Sequence, residues 1–213
     1  MIDRALCDAA RGFDSATLYE ANGRRGALPR EIKPIDRDFV VAGPAFPVEG
    51  PPGDNLWLHW ALAAAKPGDV LVASVRGGFD HGYWGEVMST AARARGLAGL
   101  VIDGCVRDGG LLAEVGLPVF ARGLCITGTT KDPAGLGSLD TPLLLGDVVV
   151  RPGDLVFGDR DGVVAIAADR AAGILAAAET RRTLEAGIME RLKAGETTVQ
   201  IYGLPSRPCA SGH

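Results

Sequence analysis

Runs of basic residues are missing from this 213-residue chain, in which 22 Lys and Arg face 26 Asp and Glu for a formal net charge of -4. Phosphate binding needs a dense cationic surface, so this balance excludes nucleic acid as an unspecific electrostatic partner. Long apolar runs are missing too: none approaches the roughly 20 residues a membrane helix requires. Met1-Ile2-Asp3-Arg4 puts charges where a signal peptide would carry its apolar core. Both absences predict a cytoplasmic protein with no membrane partner. Cysteine is scarce, and Cys7, Cys105, Cys125 and Cys209 form no CxxC pair and no zinc-ligand spacing. That argues against a disulfide framework and a structural zinc, and all four are read as reduced thiols. Aromatics are only 6%, so Trp57, Trp60 and Trp84 are read as core or interface residues rather than a platform for stacked bases.

What the chain has is apolar content, 47%, enough for one substantial core, with 30 Gly and 13 Pro scattered between apolar runs. Many short turns are implied. Ile2 to Ala21 reads as one or two helices with Asp14-Ser15 as a cap. Phe39 to Ala42 is a short strand before the turn Gly50-Pro51-Pro52-Gly53, and Asn55 to Lys66 is a helix stopped by Pro67-Gly68. A strand (69–75), a helix (85–95), a strand (97–103), a helix (107–115) and a strand (118–121) follow, joined by short links. That alternation indicates an α/β core with parallel pairs. Beyond Lys131 the texture turns to β, with strands over 143–150, 154–158 and 162–167, the last two joined by the turn Asp159-Arg160-Asp161-Gly162. Ala168 to Gly195 is an Ala/Arg/Glu-rich helix expected to be interrupted at Gly173 and Gly187. The expected organisation is therefore an α/β/β catalytic domain over 1–167, with a helix and tail over 168–213 packing on a neighbouring subunit.

The chemistry concentrates in Gly82-Tyr83-Trp84-Gly85-Glu86-Val87-Met88 and Val101-Ile102-Asp103-Gly104-Cys105-Val106-Arg107-Asp108, both at strand-to-helix junctions. Ligands of α/β sheets collect beyond the carboxyl ends of strands, where helix N-termini offer unpaired N–H groups to anions. The stretch Gly85, Val87 and Met88 is thus read as a carboxylate cradle. Asp108 can give an oxygen to Mg²⁺ or Mn²⁺, Glu86 can orient a water on that metal, and Arg107 keeps its charge at any working pH. Together these are the parts a 2-oxo acid lyase needs: a hard cation, a fixed positive charge for an enolate and a seat for the substrate carboxylate. The competing local reading makes Arg107-Asp108 a surface ion pair and Glu86 a favourable first-turn acid.

Glu86, twenty intervening residues and then Arg107-Asp108 resembles the signature of the class II pyruvate aldolases, which cleave 4-hydroxy-4-methyl-2-oxoglutarate or 4-carboxy-4-hydroxy-2-oxoadipate. The stretches 66–69, 94–99 and 116–123 are similar to that family and to its relative, regulator of ribonuclease activity A. The resemblance spans Ser15 to Tyr202. It implies a layered β/β/α swivelling-domain-like fold with mixed sheets and a long C-terminal helix, assembled as a homotrimer or homohexamer. It also implies Arg107 on the keto and enolate oxygens, Asp108 as the direct metal ligand, Glu86 on a metal water and the following amides on the substrate carboxylate. Glu20, Asn55 and Glu185 match positions around the family's pocket, with Glu185 reaching in from an adjacent subunit. The implied activity is lysis to pyruvate with oxaloacetate decarboxylation as a companion.

The alternative is a non-catalytic regulator that binds a ribonuclease or another protein; the acid after Arg107 favours the enzyme. A methyltransferase reading has no Gly-rich loop with a ribose-binding acid to support it. His81, in the loop before Glu86, is a candidate to touch substrate, whereas His59 is a lone histidine, usually neither ligand nor proton carrier. Cys105 has no accompanying nucleophile pattern and is read as a packed thiol. The group beyond the pyruvyl half is expected to be read by the loop from Gly77 to Tyr83.

Overall fold

The computed structural model describes residues 2–205; Cys209 lies outside them. Two short helices open the chain, α1 (Arg4–Ala10) and α2 (Ser15–Ala21). Each begins where an aspartate accepts a first-turn N–H, Asp3 from Leu6 and Asp14 from Thr17. There follow β1 (Lys33–Pro34), β2 (Val41–Glu49), α3 (Leu56–Ala64), β3 (Val70–Ser74), α4 (Glu86–Ala94), β4 (Gly99–Asp103), β5 (Cys105–Val106) and α5 (Gly109–Val115). Then come β6 (Val119–Ala121), β7 (Gly123–Leu124), β8 (Ser138–Leu139), β9 (Leu143–Leu145), β10 (Val148–Val150), β11 (Leu155–Gly158) and β12 (Val163–Ile166). The long α6 (Ala171–Lys193) and the single turn α7 (Thr198–Ile201) close the chain.

The main sheet has eight strands in the order β1-β6-β4-β3-β2-β11-β12, with β8 beside β2. Strands β2, β3, β4 and β6 run parallel, and β11, β12, β8 and β1 join antiparallel, so the sheet is mixed as expected. Strand β2 links the halves: Ala45 to Glu49 pair with β3, and Val41 to Pro44 pair with β11. Both faces of the parallel part are buried, which explains its continuous apolar runs. In β3, Leu71 and Ala73 face α3, α4 and α5 together with Leu58, Met88 and Leu112, whereas Val70 and Val72 face Leu143, Leu145 and Val156. A third cluster joins α1, α2 and the start of α6 to β11 and β12 through Leu18, Phe157, Ile174 and Leu175.

Four boundaries differ from the expected ones. Strand β2 does not stop at Ala42 but runs on through Pro44 and Pro47, because burial on both sides outweighs the missing N–H groups. The stretch 143–150 is a hairpin, since Gly146 takes a positive φ of 61° and turns the chain between β9 and β10. Helix α5 starts at Gly109, leaving Arg107 and Asp108 in the link before it. Helix α6 is one uninterrupted 23-residue helix; nothing crowds Gly173 or Gly187, so their cost is only the modest entropic one. Its first half packs on its own chain through Ala171, Ile174, Leu175 and Ala178, while Leu184 and Met189 further along are exposed. Among the described residues no helix is long and apolar enough to cross a membrane.

Candidate active site

Three segments distant in sequence lie side by side at the carboxyl end of the parallel strands. Residues 82–84 run along β5, where the Tyr83 N–H donates to the Cys105 carbonyl (3.0 Å) and the Arg107 N–H to the Trp84 carbonyl (2.8 Å). On its other side β5 pairs with β7, and the Gly82 N–H reaches the Thr127 carbonyl at 2.8 Å. The residues that follow the first two segments, Gly85 to Met88 and Arg107-Asp108, therefore open α4 and α5 next to one another. Glycine at 85 leaves room for Asp108: an added Cβ would collide with Asp108 Oδ2 and crowd Arg107, so those side chains would have to shift. A Cβ at Gly82 would likewise strike the Cys125 carbonyl.

Asp108 caps α5 from the left-handed region, at φ 60° and ψ 38°, a conformation aspartate tolerates better than most residues. Its Oδ2 accepts the Glu86 N–H at 3.1 Å and stands 3.7 Å from Arg107 Nε. Oδ1 accepts no hydrogen bond from the described residues. At the start of α4, Gly85 offers no side-chain cap, and the N–H groups of Val87 and Met88 precede the first intrahelical bond. These amides, Arg107 and Asp108 share a cavity of about 320 Å³.

Helix α3 and residues 128–131 form the other wall. Asn55 at the head of α3 donates through Nδ2 to the Tyr83 carbonyl (2.9 Å) and the Met88 sulfur (3.6 Å), while its buried Oδ1 has no partner among the described residues. One turn on, His59 lines the same cavity, as does Lys131. Burial, and then the positive charge of Lys131, hold the His59 imidazole below its ordinary pKa, with Asp54 opposing them. The chain on either side of Lys131 is held by Asp54, 4% exposed, whose Oδ1 accepts from the Leu56 N–H (2.8 Å) and whose Oδ2 accepts from the Thr130 hydroxyl (2.8 Å) and the Asp132 N–H (2.6 Å).

Burial by itself would raise the Asp54 carboxyl, but these donors and Lys131 outweigh it and hold the pKa below the ordinary 3.8. A depressed folded-state value means stability that is present above the ordinary aspartate range and lost as pH falls through the lower folded value. Asp54→Ala is expected to cost about 2–3 kcal/mol at pH 7, the scale of lost hydrogen bonds to a buried charge. Urea unfolding should show that gap shrinking as the pH is brought down to about 3, near and below aspartate pKa values. An equal gap at both pH values would show that the ionised carboxylate is not what clamps this loop.

Of the residues singled out from sequence, Arg107, Asp108, Gly85, Val87, Met88 and Asn55 line one cavity. The Glu86 carboxylate does not line it; that side chain is exposed, and the backbone N–H is what meets Asp108. His81 is outside the cavity lining, packed on Gly53 and 5.9 Å from the Tyr83 ring, centroid to centroid. Glu185 lies on α6, paired with Arg181 at 2.8 Å, and Arg181 also approaches Glu20. No α6 residue lines this chain's own cavity. Of the 77–83 loop, Gly82 and Tyr83 line the cavity, while its earlier part is anchored elsewhere: Arg122 stacks over Phe79 at 3.9 Å while bonding Asp103 at 2.6 Å, and the Tyr83 hydroxyl donates to the Gly78 carbonyl. Lys131 was not foreseen, and His59 was set aside as a lone histidine. The signal for His59 was its place four residues after Asn55, hence on the same helical face. Cys105 is half-buried, and burial raises its thiol pKa, consistent with a packed thiol.

Fold and site together define an α/β protein with an uncapped helix start set against an arginine-aspartate pair. The chain belongs to the RraA-like family, described as Aldolase/RraA, whose model matches residues 4–165. It is 36% identical over 155 residues, 73% of each chain, to a protein of Halalkalibacterium halodurans named provisionally as a 4-hydroxy-4-methyl-2-oxoglutarate aldolase. A protein of Albidiferax ferrireducens bearing the same provisional name is 40% identical over 171 residues, 75% of this chain and 91% of its own. Among solved structures, RraAS2 of Streptomyces coelicolor, titled an unusual member of the RNase ES inhibitor RraA family, superposes with a TM-score of 0.77 at 28% identity. That match covers 88% of this chain and 97% of that one.

Proposed function

We propose that this chain is a divalent-metal-dependent 2-oxo acid lyase that cleaves a 4-hydroxy-2-oxo acid, of the 4-hydroxy-4-methyl-2-oxoglutarate type, to pyruvate, and decarboxylates oxaloacetate. The observation that carries this reading is one cavity holding unpaired helix-start amides, a guanidinium and a carboxylate with a free oxygen. The provisional names of the two aldolase-like relatives point the same way.

The donor set fits a hard cation that keeps most of its own water. Among the described residues no group of three or more His, Cys, Asp or Glu is gathered to cage a metal, whereas Asp108 lines the cavity and only its Oδ2 is engaged, by the Glu86 N–H. One carboxylate plus substrate and water oxygens is the habit of Mg²⁺ and Mn²⁺ rather than of structural zinc. Asp108 would hold the ion, and the ion would supply Lewis-acid polarisation of the keto group. The chain's own residues do the rest. The Val87 and Met88 amides seat the substrate carboxylate at the positive end of α4. Arg107 donates to the keto oxygen and stabilises the charge that grows there as the C3–C4 bond breaks and the pyruvate enolate forms. In decarboxylation the same enolate forms as CO₂ leaves. Glu86, exposed at the first turn of α4 and outside this chain's cavity lining, is assigned to relaying protons through water together with an acid from a neighbouring subunit.

Pyruvate release from oxaloacetate and from a panel of 4-hydroxy-2-oxo acids, with Mg²⁺ or Mn²⁺ and again with excess chelator, tests the reading. Turnover that chelator abolishes is expected. Absence of pyruvate from every substrate would leave the regulator reading, which the likeness to an RNase-inhibitor family member favours.

The neighbouring acid is Glu185, in a homotrimer or homohexamer. Helix α6 runs past its own domain, with Leu184 and Met189 exposed, and adds nothing to its own cavity. Mixing Arg107→Ala with Glu185→Ala subunits, each inactive alone, should restore part of the activity after exchange. No recovery despite exchange confirmed by mass would place Glu185 in its own chain's structure only.

A further inference from the structure

A second cavity, of about 610 Å³, shares no lining residue with the active-site cavity. It opens between the turn that follows α2 and the turn that enters β11, and no histidine or cysteine lines it, so it is equipped to bind rather than to react. Both walls are fixed by buried side chains. On one, Asn22, 5% exposed, donates through Nδ2 to the Arg25 carbonyl at 2.8 Å, and the Gly26 carbonyl accepts the Ala165 N–H at 2.8 Å, which lays the turn along β12. On the other, Asp154, 6% exposed, accepts the Arg151 N–H at 2.8 Å and the Ala168 N–H at 3.2 Å.

The groups these walls present are unspent. Arg24 is paired with Glu20 at 3.0 Å, whereas Arg25, Arg151 and Asp147, all lining the cavity, have no oppositely charged partner among the described residues. Asn22 lines it too, and its buried Oδ1 has no donor among the described residues. An acceptor sealed from water without a donor costs free energy that a ligand's N–H would relieve. Each guanidinium fork matches a carboxylate. A purely anionic ligand would leave Asn22 Oδ1 unanswered and be repelled by Asp147, whereas an ammonium answers both. We infer that this cavity is a binding site for a small acidic amino acid, with its carboxylates on Arg25 and Arg151 and its ammonium on Asp147 and Asn22 Oδ1. The volume suits such a small molecule. Occupancy of this site is independent of the function proposed above.

The test is calorimetric titration near neutral pH, at low salt and with chelator present, of three molecules of equal chain length: L-glutamate, glutarate, which lacks the ammonium, and L-norvaline, which lacks the distal carboxylate. The wild type should bind L-glutamate at least about tenfold more tightly than either, the scale of one charge-assisted hydrogen bond. Arg25→Met and Arg151→Met should each weaken L-glutamate by about tenfold. Asp147→Asn should cut the advantage of L-glutamate over glutarate while leaving glutarate bound no worse. All three side chains belong to exposed residues, so the variants should fold, which thermal unfolding checks. Arg107→Ala should leave L-glutamate binding unchanged. No heat of binding at millimolar L-glutamate, equal affinity for L-glutamate and glutarate, or binding undiminished in both arginine variants overturns the assignment. So does loss of binding in Arg107→Ala with retention in Arg25→Met, which would put the amino acid in the active-site cavity instead.

Discussion

Replacing Arg107 by lysine is expected to lower kcat by about 10²–10³-fold, nearly as far as replacement by alanine, the range seen when a preorganised oxyanion donor is removed. A guanidinium presents a planar fork that can donate to two oxygens at once, and an ammonium is a compact point charge that cannot. The structure adds a second reason. The Arg107 backbone is pinned by its N–H bond to the Trp84 carbonyl, and its side chain runs directly against Gly85. A lysine there would keep the stem but lose the fork assigned above to the keto oxygen. Steady-state rates of pyruvate formation decide the matter: the loss should fall on kcat more than on KM, because the charge it meets develops during bond cleavage. Recovery of half the wild-type rate by lysine would show that net charge alone suffices.

At Asp108, alanine should abolish metal-dependent turnover while the protein stays folded. Two variants are needed, because Asp108 sits at a positive φ of 60° and alanine is less at ease there. Asp108→Asn keeps the local backbone preference and an oxygen for the Glu86 N–H but removes the anionic charge that binds a hard cation. Both variants should lose Mn²⁺ binding measured by electron paramagnetic resonance, and thermal unfolding should show asparagine melting close to the wild type. Near-normal turnover of either variant at limiting Mg²⁺ or Mn²⁺ would remove Asp108 as the ligand. A general collapse of the asparagine variant would instead make the residue structural.

Much of this site was legible because it is local. The spacing of Glu86 from Arg107-Asp108, the helix start after Gly85 and the stop at Gly96 are patterns within one or two turns of chain. Side-chain direction was less legible: the Glu86 side chain is exposed and its amide meets Asp108, and His81, in the loop that leads into α4, packs on Gly53. Proline in β2 and glycine in α6 were given their ordinary propensities, and burial overrode the first while an open helix surface excused the second.

By itself the sequence determined the alternation of strands and helices, the capping aspartate Asp14, the apolar faces of the parallel strands and the net acidic charge. Those follow from side-chain period and composition, which each short window carries in full. Tertiary structure alone decided that residues 82–84 lie along β5, that Gly85 leaves room for Asp108 to approach, and that Asp54 holds the chain on either side of Lys131. Each of these joins segments some twenty to eighty residues apart through backbone pairing or one buried carboxylate, and no periodicity along the chain encodes which distant donor such a group will meet.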